Sequence, residues 1–428
     1  MKIVFLPMDA YGHVNACIGL ANMLRDFGHD CTFAVVKQWQ KPVEEHQFKV
    51  EILNDPTIPE DQDMLYKWGK FMNDLAHTFS APLKDQQIEL MVPSFRAFIN
   101  FVKLIDPQLP EIFEKTQPDL IIMDFYVTIP SVIKSGRPWA RLYSCNPLGI
   151  YEGDNVPPSG FGLALNTDIS IFKELKVFMT EIMKDLKSEF DEWLLSKNIE
   201  PDPYDFISSS AYLNVYVYPS DLDYSELGSP PEKWFRLDHL VRKVKQESFG
   251  FDESFFDKPG KKVFFTLGSM GSSDIELMKR LISIMGQSEH QFIISKGPFH
   301  DKFQLAGNMV GNKYVNQMAI LPKVDLVIHH GGNNTFIETL YFGKPCIVLP
   351  LSGDQHDNGR RVEDTGIGRC LNPYQINQDQ FLSTIDQLLN DEQITKKVNE
   401  TGEKIRNSSS IEGLNTKINQ LISTHVKV

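Results

Sequence analysis

No stretch of the 428-residue chain comes near the ~18 consecutive apolar residues that a membrane-crossing helix needs, so no membrane anchor is expected. The opening Met1-Lys-Ile-Val-Phe-Leu-Pro-Met8 breaks at Pro7, too soon for the apolar core of a signal peptide, and the expected location is cytoplasmic. Cysteine is scarce. Cys17, Cys31, Cys145, Cys346 and Cys370 are odd in number and lack CxxC spacing, which argues against a disulfide framework and leaves reduced core thiols. Positive charge is in deficit, 43 Lys and Arg against 56 Asp and Glu, for a formal net charge of −13. Nucleic acid and anionic membrane both call for a positive face, so neither is expected as the main partner. Repeats and low-complexity segments are missing as well. What remains is a chain 42% hydrophobic and long enough for two cores of ordinary domain size.

Strands and helices alternate along it. Residues 3–7 read as a strand, Val14, Cys17, Ile18, Ala21 and Leu24 as one face of a helix that stops at Gly28, and residues 31–36 as a second strand. Further strands are predicted at 120–123, 139–143 and 213–218. Between 219 and 260 the pattern weakens into Pro-Pro, Asp-Leu-Asp and charged turns, where the linker is placed. A second α/β unit begins at 263–267, followed by Gly268-Ser269-Met-Gly-Ser-Ser273 and a helix over 274–285, with Ser272 and Ser273 as its candidate caps. The expected organisation is an N-terminal domain over 1–240, a C-terminal domain over 241–407, and a last helix within 408–428.

The 42 residues from Tyr314 to Gln355 carry the strongest signal. The apolar run Asp325-Leu-Val-Ile-His329 ends in His330-Gly331-Gly332-Asn333-Asn334-Thr335, a strand feeding a helix. A helix that starts near Asn333 leaves its first backbone N–H groups unpaired and adds the positive end of its dipole, so it can hold a phosphate without a lysine. Gly331 and Gly332 let the backbone approach closely. His330, Asn334 and Thr335 add side-chain donors, and the Glu338 carboxylate can accept from two vicinal ribose hydroxyls. A helix stop at Gly343, a strand over 346–349 and the pair Asp354-Gln355 follow, placing that pair in a loop at the carboxyl end of a strand.

A second constellation lies in the N-terminal half. His13, in Asp9-Ala-Tyr-Gly-His13-Val-Asn15, follows the first strand, and Asp124 closes the strand Pro118-Asp-Leu-Ile-Ile-Met-Asp124. Parallel neighbouring strands would bring these two ends together. An imidazole whose unperturbed pKa is near ~6.5 is suited to take a proton from a hydroxyl as it attacks. Two Asp-x-Asp pairs, Asp61/Asp63 and Asp221/Asp223, lie in turn-like segments away from the phosphate motif and read as solvated loop carboxylates. Adjacent His329 and His330 point to opposite faces of a strand end, which argues against a zinc site with His356 and Asp357.

The ordered set from Tyr314 to Gln355 resembles the donor-binding signature of the family 1 UDP-glycosyltransferases, inverting enzymes of GT-B fold with two Rossmann-like α/β/α domains facing across a cleft. Tyr314 stands where a Trp is usual and Asn316 where a Pro usually precedes Gln317. Asn333 replaces the Trp of the plant signature, which also has two more residues between Gln and His, so the spacing resembles the bacterial macrolide-type branch. The resemblance implies uracil stacking on Tyr314, with Asn316 and Gln317 beside it, pyrophosphate on His330, Gly332, Asn333, Asn334 and Thr335, and ribose on Glu338. Asp354 and Gln355 fall on the sugar-binding pair. Ser269 becomes a neighbour of the β-phosphate, and the last helix is expected to cross back onto the N-terminal domain. His13 and Asp124 fall on the catalytic dyad, with Asp124 orienting the ring.

The implied activity is transfer of a hexose, glucose first, from UDP-glucose to a hydroxyl of a small hydrophobic acceptor such as a flavonoid, macrolide or xenobiotic, consistent with a role in detoxification. No metal is expected, because the helix start and fixed donors take the place of a cation. Met64, Trp68, Phe71, Met72, Phe79, Met91, Phe95, Phe98 and Phe101 supply candidate acceptor-pocket residues, about half of them expected in the core. An NDP-sugar epimerase of the same fold and a non-catalytic UDP-sugar-binding protein are the alternatives.

Overall fold

Most strands of this chain read as unbroken apolar runs because both faces of each sheet are covered, as parallel sheets require. In the first sheet these are β1 (Lys2–Pro7), β2 (Asp30–Val36), β3 (Lys49–Leu53), β4 (Leu120–Asp124), β5 (Trp139–Tyr143), β6 (Leu213–Val217) and β7 (Trp234–Leu237). Ile3, Phe5, Leu6, Phe33, Leu120 and Ile121 are fully buried. The computed structural model describes residues 1–56, 72–243 and 248–425. Met64, Trp68, Phe71 and the Asp61/Asp63 pair lie outside the described residues.

The first sheet has the order β3-β2-β1-β4-β5-β6-β7 and is parallel throughout. β7 falls inside the stretch read from sequence as a linker. Only four residues long and preceded by Pro230-Pro231, it has no periodicity to reveal it, yet it pairs with β6 from Asn214↔Trp234 to Val217↔Leu237. The second sheet contains β8 (Lys262–Thr266), β9 (Gln291–Ser295), β10 (Met309–Asn312), β11 (Leu326–His329), β12 (Cys346–Val348) and β13 (Gly368–Cys370), in the order β10-β9-β8-β11-β12-β13.

Each order reverses direction once, between β1 and β4 and between β8 and β11. Open parallel sheets bind ligands beyond the carboxyl ends of the strands at such switch points. The helix after β1 carries His13 and the last residue of β4 is Asp124, with Pro7 in register opposite Asp124. The segments leaving β8 and β11 carry Ser269 and His330.

The last helix, Ser410–His425, packs on the first sheet's edge. Its Asn415 lies 2.7 Å from His29, and Lys417 sits over the Phe235 ring. Among the described residues no helix is long and apolar enough to cross a membrane. All five cysteines are free, three of them buried.

Candidate active site

The helix Tyr11–Asp26 begins four residues after β1 and lifts His13 within its first turn. His13 Nδ1 is 2.9 Å from Asp124 Oδ2, and both residues are buried. Ser144, just beyond β5, donates from Oγ to the same Oδ2 at 2.7 Å and lies 3.3 Å from the imidazole nitrogen. The Asp124 carboxylate thus receives two side-chain groups, which fixes the ring plane. Tyr126 meets the imidazole edge to face at 5.2 Å, and its own ring is stacked by Phe98 and tilted against Phe95. Of the candidate pocket residues, Met72 and Phe79 are core, whereas Met91, Phe95, Phe98 and Phe101 are half-buried.

Opposite this dyad, the helix Asn333–Tyr341 starts after β11 with Gly332 as its N-cap. His330 folds over Gly268, where an added Cβ would stand 2.6 Å from the ring, and an added Cβ on Gly332 would also meet it. Only glycine leaves that room, and Gly268 has φ +70° besides. Burial pushes His330 down to about 4 and neighbouring His329 down to about 3. Both imidazoles are therefore neutral near pH 7. Thr335 is half-buried on the first turn, and Glu338 is buried on the second. The Glu338 carboxylate receives Gln317 Nε2 on one oxygen and Arg242 Nη2 at 3.3 Å on the other.

Tyr314 is 38% exposed and stacks at 6.3 Å on Tyr11 of the N-terminal domain. Asn316 caps the short helix Gln317–Ile320 by accepting from the Ala319 N–H. Ser269 sits in the one-turn helix Gly268–Gly271. The cap of the following helix, Ile275–Met285, is Asp274, which accepts from the Leu277 N–H at 2.9 Å. Ser272 and Ser273, the expected caps, instead bond backward to the carbonyls of Gly268 and Ser269.

Several residues read as donor contacts are engaged across the domain junction. Asn334 Nδ2 donates to the Gly12 carbonyl at 2.7 Å, next to His13. Asn333 Nδ2 donates to the carbonyls of Ser144 and Val217 at 2.9 and 3.2 Å. Asp354 accepts from the Asn146 N–H at 2.8 Å, and its burial raises its pKa. Gln355 differs in staying within its own domain, where its amide oxygen accepts from the N–H groups of Leu351 and Ser352.

The sequence reading missed the rest of this junction. Asn358 Oδ1 receives both Asn146 Nδ2 and the Tyr218 hydroxyl, while Asn358 Nδ2 donates to the Gly331 carbonyl. Asp357 accepts from Ser159 Oγ, Gly160 N and Gly162 N, and burial pushes its acid up to about 7. One signal was available: Asp354, Asp357 and Asn358 occupy i, i+3 and i+4 positions of one helix start, a polar face that has to meet polar partners. Of the Asp221/Asp223 pair, Asp221 is an exposed turn carboxylate as expected, and the reading needs correction for Asp223. Asp223 is buried and accepts from the hydroxyls of Tyr151 and Tyr216 because its side of the turn folds against the interior, whereas Asp221 pairs with Lys404 at 2.7 Å on the surface.

The family model described as UDP-glucoronosyl and UDP-glucosyl transferase matches residues 249–413, which contain the whole helix-start motif. The chain is 23% identical over 418 residues to "NDP-glycosyltransferase YjiC" of Bacillus subtilis (strain 168), covering 96% of this chain and 94% of that one. In fold it is similar to the crystal structure of the glycosyltransferase of kitacinnamycin, at a TM-score of 0.74 with 16% identity, over 98% of this chain and 99% of the other. The chain takes the GT-B fold, and the matched C-terminal segment together with the full-length relatives supports a glycosyltransferase of the family 1 type. The glycosyltransferase VinC, solved in complex with dTDP, shares the fold at a TM-score of 0.64 and 14% identity over 99% of this enzyme and 100% of its own chain. A sugar-transferring enzyme with a nucleotide-sugar donor therefore has two facing switch points, one with a His–Asp pair and one with a helix start.

Proposed function

We propose that the enzyme moves a hexose, glucose in the first place, from a UDP-sugar to a hydroxyl of a small hydrophobic acceptor with inversion at the anomeric carbon. The observation that carries this reading is the 2.7 Å bond from Asn334, on the helix start after β11, to the Gly12 carbonyl beside His13. It sets a helix start suited to hold a phosphate beside a buried imidazole–carboxylate pair.

In the proposed reaction the acceptor hydroxyl gives its proton to His13 Nε2 as its oxygen attacks the anomeric carbon. Asp124, on Nδ1, stabilises the imidazolium that forms. The bond from that carbon to the β-phosphate oxygen breaks, and UDP leaves with the electron pair. Charge on the departing phosphate meets the first N–H groups of the helix Asn333–Tyr341, with His330, Thr335 and Ser269 beside them. Neutral His330 serves there as a hydrogen-bond donor. Asn333, Asn334 and Asp354 bond across the domain junction through groups the donor would use, so donor binding is proposed to loosen part of it, whereas Gln355 bonds within its own domain. Tyr314 supplies a face for uracil, next to Asn316 and Gln317, and Glu338 an acceptor for ribose. Phe95, Phe98 and Tyr126 form an aromatic wall leading to His13, which suits a flat phenolic or polyketide acceptor. A cytoplasmic location fits an activated nucleotide-sugar as substrate.

The relative from Bacillus subtilis is named for an NDP-sugar, and VinC holds dTDP, so dTDP-hexoses are the competing donor class. Mass spectrometry of the protein with UDP-glucose, UDP-glucuronate, UDP-N-acetylglucosamine and dTDP-glucose against phenolic and macrolide acceptors tests the reading. The expected product is acceptor plus hexose from UDP-glucose, unchanged by EDTA. Product from dTDP-glucose alone, or only in the absence of EDTA, would overturn the donor or metal assignment.

A further inference from the structure

Arg242 lies in the segment that joins the two sheets, five residues beyond β7, and is assigned no part in the reaction described above. Its guanidinium bridges the two functional halves of the enzyme. Nη1 donates to Asn15 Oδ1 at 2.8 Å, two residues from His13, and Nη2 donates to Glu338 Oε1 at 3.3 Å. The side chain is 20% exposed and that of Glu338 only 5%. The second bond is long for a charge-assisted contact, whose ordinary range is about 2.7–2.9 Å. Arg242 Nε is buried and has no acceptor among the described residues.

Access to Glu338, and not its number of lone pairs, is what its neighbours restrict. Gln317 holds Oε2 and Arg242 holds Oε1, so each oxygen already receives a donor. With the side chain only 5% exposed, vicinal ribose hydroxyls reach this carboxylate where one of the present donors gives way. We infer that Arg242 is a latch on the donor site: it competes with the ribose 2′-hydroxyl for Glu338, and a ribonucleotide binds by displacing it. This rests on the reading of Glu338 as the ribose acceptor. The stretched Glu338 contact and the unmatched Nε make the pairing a weak one, strong enough to hold the carboxylate and weak enough to yield. A diphosphate of 2′-deoxyuridine lacks the competing hydroxyl and leaves the latch closed. Arg242 therefore narrows the advantage of ribose over deoxyribose that Glu338 alone would give.

The sign of the effect distinguishes a latch from an ordinary structural contact. Titration calorimetry of UDP and 2′-deoxy-UDP is made on the full chain, its Arg242→Gln, Arg242→Lys and Glu338→Ala variants, with thermal unfolding of each alongside. Losing one weak charge-assisted bond corresponds to roughly fivefold, so Arg242→Gln is expected to bind UDP about fivefold more tightly and 2′-deoxy-UDP as before. Arg242→Lys, which keeps the charge but cannot span Asn15 and Glu338 together, is expected to fall between, and serves if the Gln variant does not fold. UDP binding that is unchanged or weaker in a folded Arg242 variant, while Glu338→Ala weakens it, overturns the latch alone. Glu338→Ala with unchanged UDP affinity overturns the ribose reading and the latch with it.

Discussion

Replacing Asp124 by Asn isolates the charge in the proposed catalytic pair. The carboxylate receives His13 at 2.9 Å and Ser144 at 2.7 Å on one oxygen, Oδ2. An Asn that turns its amide oxygen to that position keeps an acceptor for both groups and loses only the negative charge. Hydrogen bonds to a charged group contribute about 1.5–3 kcal/mol and neutral ones about 0.5–1.5 kcal/mol, so the imidazolium formed during attack loses roughly 1–2 kcal/mol of stabilisation. At about 1.4 kcal/mol per tenfold, kcat should fall by about 5- to 30-fold if the ring keeps its orientation. An amide that instead turns its NH2 toward Nδ1 holds the wrong tautomer, and the loss rises toward the roughly 10⁴-fold known for that substitution in the serine-protease triad. His13→Ala removes the base itself, worth about 10²–10⁴-fold. The assay is steady-state UDP release at saturating UDP-glucose with a phenolic acceptor, beside calorimetric UDP affinity. The expected result is a kcat loss larger for His13→Ala than for a well-oriented Asp124→Asn, with UDP affinity kept. A folded His13→Ala enzyme as active as the parent would refute the base assignment, and an unchanged Asp124→Asn would refute the pairing argument.

Three other outcomes are expected. Asn333→Ala leaves the buried carbonyls of Ser144 and Val217 without this donor, and urea unfolding should show a loss of about 2–4 kcal/mol; a loss below about 0.5 kcal/mol would mean that water or a neighbour replaces the amide. Gly268→Ala drives a methyl into the His330 ring at a positive φ, so it should weaken UDP binding and lower stability together, and a variant with both intact would disprove the packing argument. Burial holds His329 at about 3 and His330 and His356 at about 4, below the unfolded value near ~6.5. The unfolded chain takes up those protons first, so the stability these rings contribute is complete above pH ~6.5 and is lost as pH falls toward 4. Imidazole NMR signals should accordingly stay in the neutral position down to pH ~5, and three rings titrating near ~6.5 would contradict the burial.

The alternation of apolar runs with helical periodicity made β1, β2, β4, β5 and β6 of the first sheet and β8, β11 and β12 of the second readable, because buried parallel strands advertise themselves as continuous hydrophobic segments. The helix start at Asn333 was equally plain, since a strand, two glycines and a polar cluster form one local unit. β3, β9, β10 and β13 went unread, and so did β7, four residues long with Trp234, Phe235 and Arg236 only partly buried. The junction was hidden for a different reason. Asn146 meets Asn358 across 212 positions and Asn333 meets Ser144 across 189, and no local pattern foretells such pairings. Arg242 and Glu338 are a similar case. A guanidinium in a charged turn has nothing in its neighbourhood to say which carboxylate it will find. Local chemistry thus identified which residues could hold a donor, and long-range packing decided which of them the domain junction also uses.

The most direct test of the central claim is the anomeric configuration of the glycoside made from UDP-glucose, read by proton NMR of the purified product. UDP-glucose carries an α bond, and a single displacement assisted by His13 predicts a β-glucoside with the large H1–H2 coupling of a trans-diaxial pair. An α-glucoside, with its small coupling, would contradict single displacement and the role given to His13.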